Sequence, residues 1–470
     1  MVRLKVVLLL SLVVGSAGFL ISLNGCGSVA SNHNPPPGTG KIKHVVIIFQ
    51  ENRTPDNLFH DPVLINRGAD IASSGKDSTG QTIQLTPVPL VTVYDLGHGH
   101  KAFLSEWDNG AMDGADQVPV SCPDGDPNCA PANPQFQYVQ ASDVQPYFTL
   151  AETYAFGDRM FQTNQGPSFP AHQYIVSGTS AITEKSNFDA SGNPNKTDQQ
   201  VGCIAPPDTV VKIIDTTNFD PNTNETQTVY PCFEHPTLTD LLDKKSINWT
   251  YYTPVAGSIW TGPNAIQHMC GPNAPPPNGT DCVGAEWTKH VVISATQVLD
   301  DISSGKLAPV SWVIPTNHAS DHASGNDGTG PSWVASVVNA IGTSPYWKDT
   351  AIIITWDDWG GWYDHVPPPQ IHNSYEYGLR VPLIVVSPYA KAAYISHANH
   401  DFGSILKFIE RTFGLPEIDP AVGYADSRAD DLSDCFDFNQ TPLPFTPVAA
   451  PYNAEYFLND KSPPEGPDND

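Results

Sequence analysis

Positive charge is scarce in this sequence: 23 Lys and Arg face 50 Asp and Glu, for a net charge of −27, and charged residues of both signs make up only 16%. That balance argues against general nucleic-acid binding, since a phosphate backbone needs a basic surface. A local basic pocket holding one phosphate is still allowed. No internal repeat is present, and the composition does not fit a coiled coil, a collagen or a multi-span membrane protein. No C-x-x-C spacing occurs, which weakens a zinc reading of the cysteines. No G-x-S-x-G elbow occurs either, which weakens a serine esterase. What is there suffices for a fold. Hydrophobic residues are 40% of 470, enough for a sizeable core in one large domain or two ordinary ones. The 36 Gly and 45 Pro point to long ordered loops on a compact scaffold.

The N-terminus reads as an export signal. Arg3 and Lys5 precede an apolar stretch over 6–23, followed by Leu23-Asn24-Gly25-Cys26. Small residues before a cysteine resemble a lipoprotein signal-peptidase site, so 1–25 is expected to be a signal peptide and Cys26 a lipid anchor to the cell envelope. An uncleaved membrane anchor is the alternative. Residues 26–40 are polar and rich in Pro and Gly, a tether. Export agrees with the other seven cysteines, whose nearest pairs in sequence are Cys122–Cys129, Cys203–Cys232 and Cys270–Cys282, with Cys435 left over. Sequence alone leaves the connectivity open.

Continuous apolar runs at 43–50 (KHVVIIFQ), 310–315, 350–356 (TAIIITW) and 380–388 suit strands of a sheet covered on both faces. Helical patterns at 147–160, 332–341 and 404–413 lie among them. The expected class is α/β, a mostly parallel central sheet with helices on both faces, in a single catalytic domain over 41–461. Residues 180–295 are rich in Asn, Pro, Asp and Thr and hold four cysteines. They read as a loop-rich, disulfide-stapled insertion beside the sheet, and 462–470 as an acidic tail.

Ligands of open α/β sheets bind beyond the carboxyl ends of strands. Here the first strand runs into Glu51-Asn52-Arg53 and the third into Asp357-Asp358, followed by Gly360-Gly361 and Asp364-His365. Adjacent carboxylates repel unless a cation or shared proton lies between them, and Glu51, Asn52, Asp357 and Asp358 together form a hard-oxygen set for a divalent metal ion of unspecified identity. Strand caps and loop turns are the other use of such residues. Gly166-Pro167-Ser168-Phe169-Pro170 reads as a turn opening a helix, with Ser168 where the dipole and free N–H groups favour an anion. Ser168 there is a nucleophile or an ordinary N-cap. His172 follows four residues later and shares its helix face. His98, His100, His318 and His322 lie in loops flanked by Gly or Asp, which raises the prior for a site. The acidic stretch 107–116 (WDNGAMDGAD) lacks EF-hand spacing.

Taken in order, these stretches resemble the bacterial phosphoesterase family of phospholipases C and acid phosphatases, whose fold is alkaline-phosphatase-like. The matching residues are the run from His44 to Arg53, the His98 to Gly114 block, and Gly166 to Pro170. Further on come Ser311-Trp312-Val313 with Ser320-Asp321-His322, the run from Ile354 to Asp358 with Gly360-Gly361, and the run from Tyr363 to Pro368. Arg380-Val381-Pro382 and the segment 405–410 close the set. The resemblance implies metal ligands at Glu51, Asn52, Asp357 and Asp358 and a hydroxyl nucleophile at Ser168. It implies phosphate-contacting or proton-transferring histidines at His98 or His100 and at His322. Two departures stand out. Asp358 occupies a position where many members have Glu, with Trp359 after it where a smaller or more polar residue is expected. His172 stands where many phospholipase-like members have Arg.

The reaction so implied is hydrolysis of a phosphate ester or phospholipid through a phosphoserine at Ser168, with a histidine protonating the leaving alcohol. A phosphomonoesterase of acid-phosphatase type is the first expectation, because the chain ends soon after Leu415 and its acidic surface resists anionic membranes. Phospholipase C is the alternative. A surface lipoprotein that binds a phosphorylated or carbohydrate ligand without catalysis is the second alternative.

Overall fold

The structure is a computed structural model and describes residues 40–126, 128–369 and 373–463. The signal peptide, Cys26, nearly all of the tether and most of the acidic tail lie outside the described residues. Among those described, no helix is long and apolar enough to cross a membrane.

The apolar runs assemble into one eight-stranded sheet. In chain order its strands are β1 His44–Gln50, β2 Ala155–Gly157, β3 Trp249–Thr253, β4 Val291–Ile293, β5 Val310–Val313, β6 Thr350–Trp356, β7 Leu383–Val386 and β8 Tyr394–Ser396. Their spatial order is β4-β3-β5-β1-β6-β7-β2-β8. Only β7 runs against its neighbours. β1 lies between β5 and β6, and apart from the half-buried His44 it is buried along its length, which is why it reads as an unbroken apolar run rather than an alternating one.

Five helices concern the site: α1 His100–Trp107, α2 Ala141–Thr153, α3 Ser168–Ser177, α4 Gly330–Gly342 and α5 Phe402–Phe413. Side chains alternate between sheet faces, so Phe49 and Glu51 share one face and Gln50 the other. On the Phe49 face lie His172 of α3 and Phe402 of α5, with ring centroids 5.4 and 5.6 Å from Phe49. Trp356 pairs in register with Gln50 and meets Tyr147 of α2 on the opposite face, at 5.1 Å. Helices therefore cover both faces, as expected.

Two expectations need correction. The helix expected over 147–160 runs from Ala141 to Thr153, because non-helical backbone at Val144 (φ −118°, ψ 16°) accommodates Pro146, and 155–157 leave it to become β2. A three-residue apolar run carries no period of its own, and pairing with β7 and β8 decides its state. The segment 180–295 is only partly an insertion beside the sheet. Its first half holds a small antiparallel sheet of Phe188–Ala190, Val211–Asp215 and Gln227–Val229. Its second half supplies β3 and β4 to the main sheet. The disulfides Cys122–Cys129, Cys203–Cys232 and Cys270–Cys282 are formed, and Cys435 is a buried free thiol.

Candidate active site at the strand ends

Register brings the acids together. Gln50 lies opposite Trp356, so Glu51 and Asp357 leave adjacent parallel strands side by side, with the Asp357 N–H donating to the Gln50 carbonyl at 3.0 Å. The chain then turns sharply. Asn52 takes a left-handed backbone (φ 61°), and its N–H donates to Asp357 Oδ1 at 3.1 Å. The same oxygen accepts the Asp358 N–H at 2.8 Å, and Asp358 Oδ1 accepts the Gly360 N–H at 2.7 Å. Gly360 is also left-handed (φ 64°), and a Cβ there would lie 2.3 Å from the Asn52 carbonyl oxygen. Two left-handed turns thus back onto each other at the strand ends.

All four are fully buried. Each keeps one oxygen without a hydrogen-bond partner: Glu51 Oε2, Asn52 Oδ1, Asp357 Oδ2 and Asp358 Oδ2. Leaving such an atom unsatisfied costs about 1–3 kcal/mol, more when it is charged. Burial, followed by the charge of Asp357, pushes the Asp358 carboxyl up to about 8 and holds Glu51 well above the usual carboxylate range. A divalent cation fits donors of this chemistry, because it would satisfy such oxygens and relieve their mutual repulsion. The acids whose ligand atoms converge within 4.8 Å, together with His172, are Glu51 and Asp357, and Asp358 is not in that group.

Helix α3 brings an imidazole to the same place, and it begins one turn earlier at Ser168. Pro167 is its N-cap and no side chain caps it, so Ser168 at the first helical position is not the ordinary capping serine. Ser168 is buried, and the next N–H, of Phe169, donates to Asn193 Oδ1 at 3.0 Å. One turn on, His172 Nε2 lies 3.2 Å from Glu51 Oε1 and 3.9 Å from Asp357 Oδ2. One donor atom from each of Glu51, His172 and Asp357 falls within 4.8 Å of the other two. Burial pushes the His172 imidazole down to about 4.

His98 joins the cluster from the other side. Its Nδ1 lies 2.8 Å from the Leu96 carbonyl, which only accepts, so Nδ1 carries hydrogen. Its Nε2 then receives the Asn52 amide at 3.1 Å and sits 4.0 Å from Asp358 Oδ2. His322 is its ring neighbour at 5.7 Å, with Nδ1 2.6 Å from the Ala323 carbonyl. His100 does not join this group. It starts α1 and turns to Glu225 Oε2, at 3.5 Å, and to the edge of Tyr375. There it lines a cavity of about 520 Å³ together with His98, Pro167, Lys101, Lys212 and Glu225.

Residues 42–416 match the profile of the Phosphoesterase family. The chain belongs to that family. Phospholipase C B of Mycobacterium tuberculosis is 26% identical over 92% of this chain and 85% of its own length. Hemolytic phospholipase C of Pseudomonas aeruginosa is 24% identical over 84% of this chain and 56% of its own. Among solved structures, a protein of the alkaline phosphatase superfamily from Vibrio parahaemolyticus superposes with a TM-score of 0.37 at 11% identity, over 84% of this chain and 71% of that one. As a phosphoesterase with such relatives, the protein is a phosphoric ester hydrolase.

Sequence reading missed the groups that hold the phosphoesterase site in place. Arg53 lies over the Trp362 ring at 4.9 Å and donates to the Asp321 carbonyl at 2.6 and 2.8 Å, while Tyr147 and Trp356 donate to the Asp321 carboxylate at 2.8 and 2.9 Å. These bonds fix the backbone that carries His322. Trp359, unexpected beside Asp358, donates to the buried Glu106 at 3.1 Å. Below the site, Arg380 grips Asp364 at 2.9 and 3.0 Å and Asp56 at 3.2 Å. His365 bridges Asp56 at 2.6 Å and Asp70 at 3.0 Å. The role of His365, open in the sequence, is that of a cation in this network, and burying its acids pairs rather than strands them. Arg53, Glu106, Asp321, Trp356, Asp364, His365 and Arg380 stood in matched motifs, whereas Asp56, Asp70, Tyr147, Trp359 and Trp362 did not, and no local signal distinguishes an anchor from a reactant.

Proposed function

We propose that the protein hydrolyses phosphate esters through a phosphoserine at Ser168, with Glu51, Asn52, Asp357 and Asp358 holding a divalent cation. The observation that carries this reading is the four buried oxygens, one from each of those residues, that lack a hydrogen-bond partner. Such a cation supplies charge to stabilise the ionised hydroxyl and the phosphoryl oxygens. The rest falls to the chain. The N-terminus of α3 directs its positive dipole end, with the Ser168 N–H, toward the phosphoryl group. Ser168 Oγ attacks phosphorus in line with the departing alcohol, forming the O–P bond as the ester O–P bond breaks. Of the histidines, His322 is the candidate to pass a proton to the departing oxygen, since His98 gives its Nδ1 hydrogen to the Leu96 carbonyl and accepts the Asn52 amide at Nε2. Water then cleaves the phosphoserine.

A phosphomonoester is the first substrate class. The cavity beside His98 and Pro167 has two lysines, Lys101 and Lys212, against one acid, Glu225. In a chain of −27 such a basic mouth selects an anionic ester and disfavours a cationic head group. Phospholipid is the second class, favoured by the phospholipases C among the relatives. The test is alcohol release from a chromogenic phosphate monoester, a diester and phosphatidylcholine over several pH values, with and without chelator. Chelator-sensitive turnover of any of them supports the reading. The absence of turnover across the panel with added divalent metals refutes it and leaves a ligand-binding surface protein.

A further inference from the structure

Three donor types meet on one side of the site, and their hydrogens can be placed. The Tyr251 hydroxyl donates to the Trp260 carbonyl at 2.9 Å and accepts the Gly262 N–H at 3.3 Å. With its own hydrogen committed, Tyr251 offers only a lone pair to His172 Nδ1, 3.5 Å away, a long contact. The imidazole hydrogen therefore belongs on Nδ1, and Nε2 presents a lone pair. That lone pair faces Glu51 Oε1 at 3.2 Å and Asp357 Oδ2 at 3.9 Å, and the latter oxygen has no hydrogen-bond partner. All three side chains are fully buried. Electron pairs facing one another without water need a cation or a shared proton between them, and a divalent cation answers all three groups at once. Adjacent donors around a cation bound at about 2.1 Å lie roughly 3.0–3.4 Å apart, which the shorter separation meets and the longer slightly exceeds.

We propose that His172 Nε2 is a nitrogen ligand of the cation shared with Glu51 and Asp357. This rests on the reading of those acids as metal ligands given above. Two consequences follow. A nitrogen donor tilts the site away from Ca²⁺ and Mg²⁺ and toward borderline transition ions such as Zn²⁺ or Co²⁺. Because His172 is one turn from Ser168 on α3, the ligand also ties the start of that helix to the cation, so metal binding and placement of the hydroxyl become one event. Tyr251 is the positioning residue that fixes the tautomer.

The experiment reads the metal, not turnover. The chelated full-length protein is reloaded with Cu²⁺ and examined by pulsed electron paramagnetic resonance, and Zn²⁺ affinity is measured against Mg²⁺ by competition. In the wild type, imidazole nitrogen modulation is expected. In His172→Gln it falls sharply and Zn²⁺ binding weakens on the order of 100-fold, while Mg²⁺ binding changes much less. Since that variant can fail to fold, His172→Cys is loaded with Co²⁺ in parallel, and a thiolate-to-cobalt charge-transfer band is expected. Metal bound by the folded variants with undiminished modulation in His172→Gln, or no thiolate band in His172→Cys, overturns the proposal alone. Failure of the wild type to bind any divalent ion overturns it together with the metal-site reading beneath it.

Discussion

Ser168 is not a helix cap, since Pro167 holds the N-cap position and the helix start lacks a side-chain cap, and the proposed mechanism gives its hydroxyl the chemical role. Ser168→Ala should therefore lower turnover by about 10³-fold or more while leaving folding and metal content intact. Ser168→Thr should retain part of the activity. A quenched reaction analysed by mass spectrometry should find phosphate on Ser168 and not on Thr163 or Ser177. Gly360 is a second single-residue test, with a different sign of logic. Its left-handed φ and the 2.3 Å approach of a Cβ to the Asn52 carbonyl leave no room for alanine. Gly360→Ala should cost about 2–4 kcal/mol in denaturant unfolding and displace Asn52 from the donor set, so metal content falls along with stability. Full metal content in that variant would contradict the back-to-back turns described above.

At the scale of elements, the loop after β6 is pinned by charge. His365 lies against Asp56 and Asp70, and although burial opposes its charge, its partners raise the imidazole to about 9. A group whose folded value exceeds its unfolded one stabilises below the unfolded value, near 6.5, and loses that contribution as pH rises through the folded one. The melting temperature should therefore decline between about pH 7 and 10, and His365→Gln should flatten this window. An equal decline in the variant would assign it to other groups. The same elements show how far the sequence could be read. Strands β1, β5 and β6 announced themselves as continuous apolar runs, and the polar ends of β1 and β6 named four candidate ligands. β3 and β4 did not, being short pieces embedded in polar, Pro-rich chain, and α2 was placed late because Pro146 obscured its start. The approach of His172 to Glu51 was invisible for another reason. It depends on how α3 packs on the sheet, a distance between elements that no periodicity records.

For the whole molecule, the proposed cation would be a stability term as well as a reagent. A ligand present at 100 times its dissociation constant adds about 2.7 kcal/mol. Chelation should lower the melting temperature of the wild type by a few degrees. In Asp357→Asn the chelator should have little further effect, since the acid that joins Asn52, Asp358 and His172 has been neutralised. Calorimetry with and without chelator on both proteins decides this, and an equal shift in the variant would place the stabilising ion elsewhere. The acidic exterior works in the opposite direction. A net charge of −27 repels anionic substrates at long range, leaving attraction to the lysines at the cavity mouth within a Debye length of about 8–10 Å.

The position of β1 also governs the order of events in folding. It is the first strand of the sheet along the chain, yet its neighbours on either side, β5 and β6, come from Val310–Val313 and Thr350–Trp356. An apolar stretch rich in Val and Ile must therefore wait, unpaired, until most of the polypeptide has emerged. Pairings so distant in sequence close slowly and leave an aggregation-prone edge open meanwhile. The chain cannot finish its middle before its later segments arrive, and Glu51 meets Asp357 only when β6 docks. Acquisition of the cation is thus a timestamp for completed topology: metal uptake during refolding should lag the recovery of helical signal and coincide with the burial of β1.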